Sequence, residues 1–295
     1  MRIPFLDLLT QEGPILLDGA MGTMLFQSGL EHGGAPELWN VEAPEKVRAV
    51  HQAYIDVGSQ LILTNTFGGT PLRLEMHKLD GRTEELNRAG AELAGHAAEQ
   101  ADHAIVVAGS LGPSGGILEP YGEMAYDEAV ASFRRQVDGL VEGGVDVLWI
   151  ETMSDLGEVR AAVEGARAVT NEVPIVATMT FDTHGRTMMG VTPEQALQEM
   201  SALDLAALGA NCGNGTQEIE TVIGKMADLK PDRPLVAKAN AGIPHVEGDL
   251  VIYDATPEIM AGYAQKVFEL GAKLIGGCCG STPAHLAAMN RALDR

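Results

Sequence analysis

Short apolar runs recur along the chain, and the segments between them are amphipathic. Each run is hydrophobic almost without interruption, which is typical of a strand covered on both faces in a parallel sheet. Eight runs predict strands, at Ile15–Asp18, Gln60–Thr64, Ala104–Ala108, Val145–Ile150, Pro174–Thr178, Leu205–Gly209, Pro234–Lys238 and Ala272–Ile275.

The intervening segments place apolar residues at helical spacing. In one of them Thr256 and Pro257 suit an N-cap and a first helical turn, and Gly271 suits a C-cap. Helices are predicted over Pro44–Val57, Glu84–Gln100, Met124–Glu142, Leu156–Val169, Pro193–Leu203, Gln217–Leu229 and Thr256–Leu270.

Alternation of eight strands with helices predicts an α/β fold, a single (β/α)₈ TIM barrel with its active site at the C-terminal ends of the strands. The length of 295 residues is close to the ~250 typical of this barrel, and no linker divides the chain, so residues 1–295 are predicted to be one domain. A doubly wound open sheet is the structural alternative. It usually has fewer strands and, for nucleotide binding, a glycine-rich turn after the first one.

Charge and hydropathy narrow the classes of function. The net charge of −21 disfavours a nucleic-acid-binding protein and docking on an anionic membrane, because both need clustered cations. No apolar stretch approaches the ~18 residues of a membrane helix, and the first ten residues lack the pattern of a secretion signal. We therefore expect a cytoplasmic protein that binds neither nucleic acid nor membrane.

The chain has three cysteines, and all follow predicted strands: Cys212 the sixth, Cys278 and Cys279 the eighth. The ends of these strands can converge at the barrel mouth, where three thiolates would bind zinc and leave its fourth position open. The alternatives are buried apolar cysteines, a closed structural zinc site and a strained disulfide between the adjacent pair. An odd cysteine count in a reducing compartment argues against a disulfide framework.

The charge of such a site favours one kind of chemistry. Three thiolates give a zinc site a formal charge of −1, which makes it less suited to ionising water than a site of neutral histidines. Metal binding deprotonates a thiol, so a substrate thiol bound there becomes a nucleophile towards an alkyl group. Asp18 and Glu151 also follow strands, and they suit either an acid/base pair or a pair that holds an amino group.

Six segments together resemble the zinc-dependent homocysteine S-methyltransferases, and the similarity extends over nearly the whole chain. Within that family the chain is most similar to the homocysteine-binding module of cobalamin-dependent methionine synthase. The segments are Asp18–Met24, Leu63–Gly68, Glu151 with Thr152, Gly209–Gly213, Asn240–Gly242 and Gly276–Thr282.

The resemblance implies a (β/α)₈ barrel that methylates the thiol of homocysteine to give methionine, as part of methionine biosynthesis. It also implies that Cys212, Cys278 and Cys279 bind Zn²⁺ and carry the catalysis, and that Asn240 is a candidate for the fourth position in the absence of substrate. The substrate-binding residues it implies are Asp18, Gly19, Thr66, Ser110, Glu151 and Asn240.

The methyl donor is less firmly indicated. Betaine-using members of the family carry tyrosine at the positions of Gly68 and Thr152, which disfavours betaine. No folate or corrinoid domain is present within the 295 residues, so we expect a separate methyl-corrinoid protein as donor and partner. The alternatives are S-methylmethionine, S-adenosylmethionine or betaine as donor, and a homocysteine-binding subunit without turnover of its own. The apolar helix faces are also compatible with a homo-oligomer.

Overall fold

A computed structural model describes residues 1–31, 33–243, 245–247 and 250–293. Ten strands lie in these ranges, and all but two of them form one sheet. They are β1 (Ile15–Leu16), β2 (Leu61–Leu63), β3 (Val106–Leu111), β4 (Val147–Met153), β5 (Ile175–Met179), β6 (Ala207–Cys212), β7 (Leu235–Ala239), β8 (His245–Glu247), β9 (Leu250–Ile252) and β10 (Ala272–Gly277).

The eight-stranded sheet is parallel throughout, in the order β1-β10-β7-β6-β5-β4-β3-β2. Its two outer strands meet through a parallel bridge between Leu17 and Leu61 and a 2.8 Å hydrogen bond from the Gln60 N–H to the Leu16 carbonyl. The sheet is therefore a nearly closed barrel. This confirms the predicted (β/α)₈ fold, and the alternative of a doubly wound open sheet is wrong.

Helices alternate with the strands and surround the barrel, together with short 3₁₀ turns at Pro36–Leu38 and Asp80–Arg82. No helix in the described ranges is long and apolar enough to span a membrane. The helices are α1 (Phe5–Leu9), α2 (Met21–Gln27), α3 (Trp39–Glu42), α4 (Pro44–Asp56), α5 (Pro71–Glu75), α6 (Thr83–Glu99), α7 (Tyr126–Glu142), α8 (Leu156–Arg167), α9 (Pro193–Ser201), α10 (Thr216–Asp228), α11 (Pro257–Glu269) and α12 (Pro283–Ala292).

Two apolar layers hold the molecule together. The larger layer lies between the strands and the surrounding helices. The smaller one fills the barrel, where side chains such as Trp149 and Val236 pack with Phe5 and Leu8 of α1. Because alternate residues of a strand face opposite sides, each strand contributes to both layers.

The inward-facing positions become polar towards the carboxyl ends of the strands. Following the alternation from the inner apolar residues Ala108, Trp149, Ala207, Val236 and Leu274 leads to the polar side chains of the barrel mouth. These are Ser110 on β3, Glu151 on β4, Asn211 on β6, Lys238 on β7 and Cys278 directly after β10.

Several predicted boundaries were wrong, and the errors share a cause. β3, β4 and β6 extend to Leu111, Met153 and Cys212, beyond the predicted ends at 108, 150 and 209. The apolar runs stop where inward positions become polar, whereas backbone pairing continues past them. The β8–β9 hairpin and α12 were not predicted. The Thr256 N-cap is confirmed by its bond from the Ile259 N–H, and Gly271 has the positive φ of a C-cap.

Candidate metal centre and substrate site

The three cysteines come together at the barrel mouth. Their sulfur atoms all lie within 4.8 Å of one another, and those of Cys212 and Cys278 are 2.7 Å apart. All three are free thiols and half-buried, so the alternative of a disulfide between adjacent cysteines is not realised. The predicted convergence of the sixth and eighth barrel strands thus occurs, and the cluster can hold a metal ion.

Ionisation of one thiol in the cluster opposes the ionisation of its neighbours. Hydrogen bonds with its two neighbours, together with burial, raise the pKa of Cys212 well above its usual value. Although its bond with Cys212 acts in the opposite direction, Cys279 and burial raise the pKa of Cys278 to about 12. Hydrogen bonds lower the pKa of Cys279. The cluster alone favours one thiolate, and a cation is needed to hold three.

Asn211 ties the β6 cysteine to β4. Its side-chain oxygen accepts the Thr152 N–H at 2.8 Å and the Thr178 hydroxyl at 2.7 Å. Its amide nitrogen donates to the Thr152 hydroxyl at 2.7 Å and lies 3.5 Å from the Cys212 sulfur. Both Thr152 and Cys212 have positive φ, a rare conformation for residues with a side chain, and this network holds them in it.

Asn240 ties the two cysteine loops to each other. Its side-chain nitrogen donates to the Gly213 carbonyl at 2.7 Å, and its oxygen accepts the Cys279 N–H at 3.0 Å. The Cys278 N–H donates to the carbonyl of Ala239 at 2.7 Å. The Asn240 side chain therefore spans the loops that follow β6 and β10, with its amide engaged at both ends.

Tyr253 approaches the cluster from the segment after β9. Its side chain is hydrogen-bonded with Cys279, which contributes to the lowered pKa of that thiol. Its ring lies against Gly280, where a Cβ would come 2.1 Å from the ring. A side chain larger than hydrogen at position 280 would thus displace the tyrosine from the sulfur.

A buried ion pair lies beside the cysteines. Lys238 Nζ is 3.1 Å from Asp18 Oδ1, and both side chains are at most 3% exposed. The second Asp18 oxygen accepts the Leu63 N–H at 2.7 Å. Burial raises the pKa of Asp18 and the ammonium opposes that rise. Burial lowers the pKa of Lys238, but Asp18 and Glu151 outweigh it, so the pKa is raised.

Glu151 is the second carboxylate of the mouth. Its Oε1 accepts the Ser110 hydroxyl at 2.6 Å. Burial raises the pKa of Glu151 to about 7, against the lowering effect of Lys238. Thr66 helps to fix the position of Ser110, because its hydroxyl donates to the Ser110 carbonyl at 2.8 Å.

Gly19 lies where the loop after β1 meets the loop after β10. A Cβ at this position would come 2.7 Å from Ser281 Oγ and 2.9 Å from Tyr54 Cε1. The Tyr54 hydroxyl lies 3.1 Å from the carbonyl oxygens of both Ala20 and Ser281, which share its one proton. Only glycine therefore allows the two loops to close on each other here.

Comparison with known proteins identifies the family. The family model of the homocysteine S-methyltransferases matches residues 15–293. The chain belongs to the homocysteine S-methyltransferase family. It is thus a methyltransferase-family enzyme, as the motifs of the mouth predicted.

Two relatives illustrate the similarity, and a third protein shares the fold alone. The methionine synthase of Mycobacterium leprae is 30% identical in an alignment of 295 positions that covers 94% of this chain and 24% of that protein. This chain thus spans about a quarter of its relative. The metallated form of the homocysteine methyltransferase MmuM from Escherichia coli is 28% identical, with a TM-score of 0.80 over 98% of this chain and 99% of that one. A methyltransferase from Methanosarcina mazei, at 13% identity and a TM-score of 0.60, shares the fold.

Sequence reasoning missed three residues of this family member's mouth: Asn211, Lys238 and Tyr253. A signal for Lys238 was present, because a lysine two positions after Val236 in an apolar strand faces the barrel interior. Asn211 adjoins Cys212 within the quoted motif. Nothing local marks Tyr253, which approaches Cys279 only through the tertiary fold.

Proposed function

We propose that the protein transfers a methyl group to the thiol of homocysteine, giving methionine, with Zn²⁺ held by Cys212, Cys278 and Cys279. The observation that carries the proposal is the convergence of three sulfur atoms within 4.8 Å at the mouth of the barrel. Three sulfur atoms grouped in this way could hold one metal ion between them.

The donor set favours zinc. Thiolates are soft ligands that select zinc over magnesium or calcium, and the opposed ionisation of the three thiols leaves a demand for positive charge. With Cys212, Cys278 and Cys279 as ligands, a zinc ion bound here would keep one position for the substrate. When bound, Zn²⁺ supplies the positive charge that keeps the substrate sulfur deprotonated at neutral pH.

The chain's own groups hold the rest of the substrate. Glu151 and Asp18 are buried carboxylates beside the cysteines, and they bind the ammonium group of homocysteine. Ser110 fixes the Glu151 carboxylate and Thr66 fixes Ser110, as their hydrogen bonds indicate. Gly19 lets the loop after β1 close on the loop after β10 and so shapes the backbone beside the bound substrate.

In the reaction the substrate sulfur forms a bond to the methyl carbon. The bond from that carbon to the donor breaks, and its electron pair stays with the donor. Asn211, and Asn240 through the Cys279 N–H, hold the cysteine loops in place during the transfer. The buried carboxylates keep the amino-acid end fixed, so that the sulfur is presented towards the open mouth.

A methyl-corrinoid protein is the donor we propose. At the position of Gly68 a Cβ would come 3.0 Å from Glu37 Oε1, so the tyrosine of betaine-using members would require this carboxylate to shift. The Gly68 N–H also donates to that carboxylate at 2.7 Å. The N–H and the hydroxyl of Thr152 are both hydrogen-bonded to the Asn211 side chain. The relative that is named a methionine synthase supports methionine as the product.

A donor screen tests the proposal. The zinc-loaded protein is incubated with homocysteine and, one at a time, methylcobalamin, methylcobalamin on a corrinoid carrier protein, S-methylmethionine, S-adenosylmethionine and betaine. Methionine formation should be fastest with the carrier-bound corrinoid. We expect Cys212→Ala to lose bound zinc and more than about 99% of activity, because it removes one of three ligands.

The Gly262→Ala variant is the matched control, since its new methyl group meets nothing within 4 Å on α11. It should retain both zinc and activity. Rapid turnover with a small donor would replace the corrinoid assignment, and full activity of metal-free protein would contradict the zinc mechanism. Tight homocysteine binding without turnover of any donor would indicate a binding subunit instead.

A further inference from the structure

Lys238 is a buried cation that the resemblance did not assign. Among the described residues it is the one lysine or arginine that is buried. It lies on β7, two residues after the inward-facing Val236, so its side chain enters the barrel beneath the mouth. Such a group is costly to bury unless it is paired, which makes its position informative.

The surrounding strands make room for the lysine and connect it to the metal centre. Gly276 is its neighbour on β10, and a Cβ there would come 3.4 Å from the Lys238 Cγ and 2.7 Å from the Leu17 Cβ. On the other side Lys238 is paired with Asn211, the residue before Cys212. The next residue of β7, Ala239, accepts the Cys278 N–H.

The ionisable groups that act on Lys238 are all acidic. Asp18 forms an ion pair with it, Glu151 acts on it through space, and so does Cys278. A site with zinc and three thiolates is itself anionic, and a substrate thiolate makes it more so. Without a buried cation, the incoming sulfur would face this accumulated negative charge in a medium of low dielectric.

We propose that Lys238 is a positioning residue that acts as the counter-charge of the metal centre and so favours the binding of a fourth, substrate thiolate. It also fixes Asp18 as a carboxylate at the amino-acid end of the substrate. This inference rests on the proposed function and identifies how this site selects a ligand that brings a negatively charged sulfur.

Homocysteine and methionine provide a test that isolates the charge. Both present the same amino-acid end, but only homocysteine can bind as a thiolate. The dissociation constants of both ligands are measured by calorimetry on zinc-loaded wild type and Lys238→Met. We expect the preference for homocysteine over methionine to fall at least about tenfold in the variant, as a unit charge over several ångströms would produce at an effective dielectric near 20.

Zinc affinity gives a second readout that needs no catalysis. Lys238→Met should leave zinc affinity nearly unchanged in a chelator competition, because the two positive charges of zinc are balanced by the two further protons that the thiols release. Lys273→Met is the matched control, because Lys273 lies at the start of β10, at the end of the barrel opposite the mouth, and bonds to the Gln11 carbonyl at 2.8 Å. It should change neither quantity.

Asp18→Asn/Lys238→Met is the second variant, because it removes both halves of the ion pair and leaves no unpaired buried charge. Compared with wild type, its preference for homocysteine should also fall at least about tenfold. An unchanged preference in a folded Lys238 variant overturns the inference, and so does joint loss of zinc and homocysteine binding in both variants. Absence of homocysteine binding by the wild type would instead contradict the proposed function.

Discussion

Individual side chains decide what the barrel mouth can bind. Glu151 combines a buried position with a bond from the Ser110 hydroxyl, and its pKa is about 7 rather than near the 4.5 of an exposed glutamate. Near neutral pH it therefore exists as a mixture of acid and carboxylate. Only the carboxylate forms an ion pair with an ammonium group, so under the proposed function substrate binding releases the proton.

This gives a prediction for homocysteine binding between pH 6 and 8. Below pH 7 the affinity of the zinc-loaded protein should rise with a slope of about two decades per pH unit, one from Glu151 and one from the thiol. Above pH 7 the slope should approach one. Glu151→Gln should show about one decade throughout. Calorimetry measures this, and an identical slope change near pH 7 in the variant would contradict it.

Tyr253 allows a prediction for the metal. Tyr253→Phe keeps the ring against Gly280 but loses the hydrogen bond to Cys279. We expect zinc affinity to fall roughly tenfold, as for other groups that orient metal ligands, with an unchanged melting temperature. Chelator competition measures it. Tyr126→Phe is the control, since its hydroxyl bonds to Glu164 on the surface; equal affinities of the two variants would remove the role of Tyr253.

At the scale of elements, strand alternation explains both what was predicted and what was missed. The apolar runs located every barrel strand, because both faces of these strands are buried. They ended too early on β3, β4 and β6, where Ser110, Glu151 and Asn211 continue the inward row. Such residues look like loop residues in sequence, yet their polar groups are satisfied across neighbouring strands.

Close approach of β6 and β7 requires Gly209. A Cβ at this position would come 2.0 Å from the Val236 carbonyl oxygen and 2.7 Å from its nitrogen, both of them backbone atoms. Gly209→Ala should therefore destabilise the fold by about 3 kcal/mol or more and loosen the cysteine at the end of β6. Urea unfolding measures the change.

Gly262→Ala on α11 is the matched control. Its methyl group meets no atom within 4 Å, so it should stabilise the protein by about 0.5 to 1 kcal/mol through helix propensity. A Gly209→Ala variant as stable as the wild type would show that the two strands can separate at no cost.

Across the whole molecule, one buried histidine links stability to pH. His51 on α4 is fully buried, and within the described ranges neither of its ring nitrogens has a hydrogen-bond partner. Burial lowers the pKa of His51 from 6.5 to about 4. The unfolded chain thus binds a proton that the folded chain does not, so stability is full above pH 6.5 and declines as the pH falls towards 4.

Because of His51, the unfolding free energy of the metal-free protein should fall by about 2 kcal/mol when the pH is lowered from 7.5 to 5. His51→Leu should lack this part of the loss, whereas His96→Leu on the exposed face of α6 should keep it. Urea unfolding of the three proteins at both pH values provides the comparison. The same loss in His51→Leu as in the wild type would exclude His51 as the cause.

The sequence by itself determined the barrel, because continuous apolar runs separated by amphipathic helices have few other ways to bury their surface. It also determined that the three cysteines come together at the barrel mouth, since the strands that precede them end at the same edge of the sheet. Tertiary structure decided the partners of those groups. Lys238 meets Asp18 across 220 positions of chain, Asn211 meets Thr152, and Tyr253 meets Cys279. Hydrophobic periodicity records which face is buried, whereas pairing of polar groups depends on strand register and loop geometry, which no local pattern encodes.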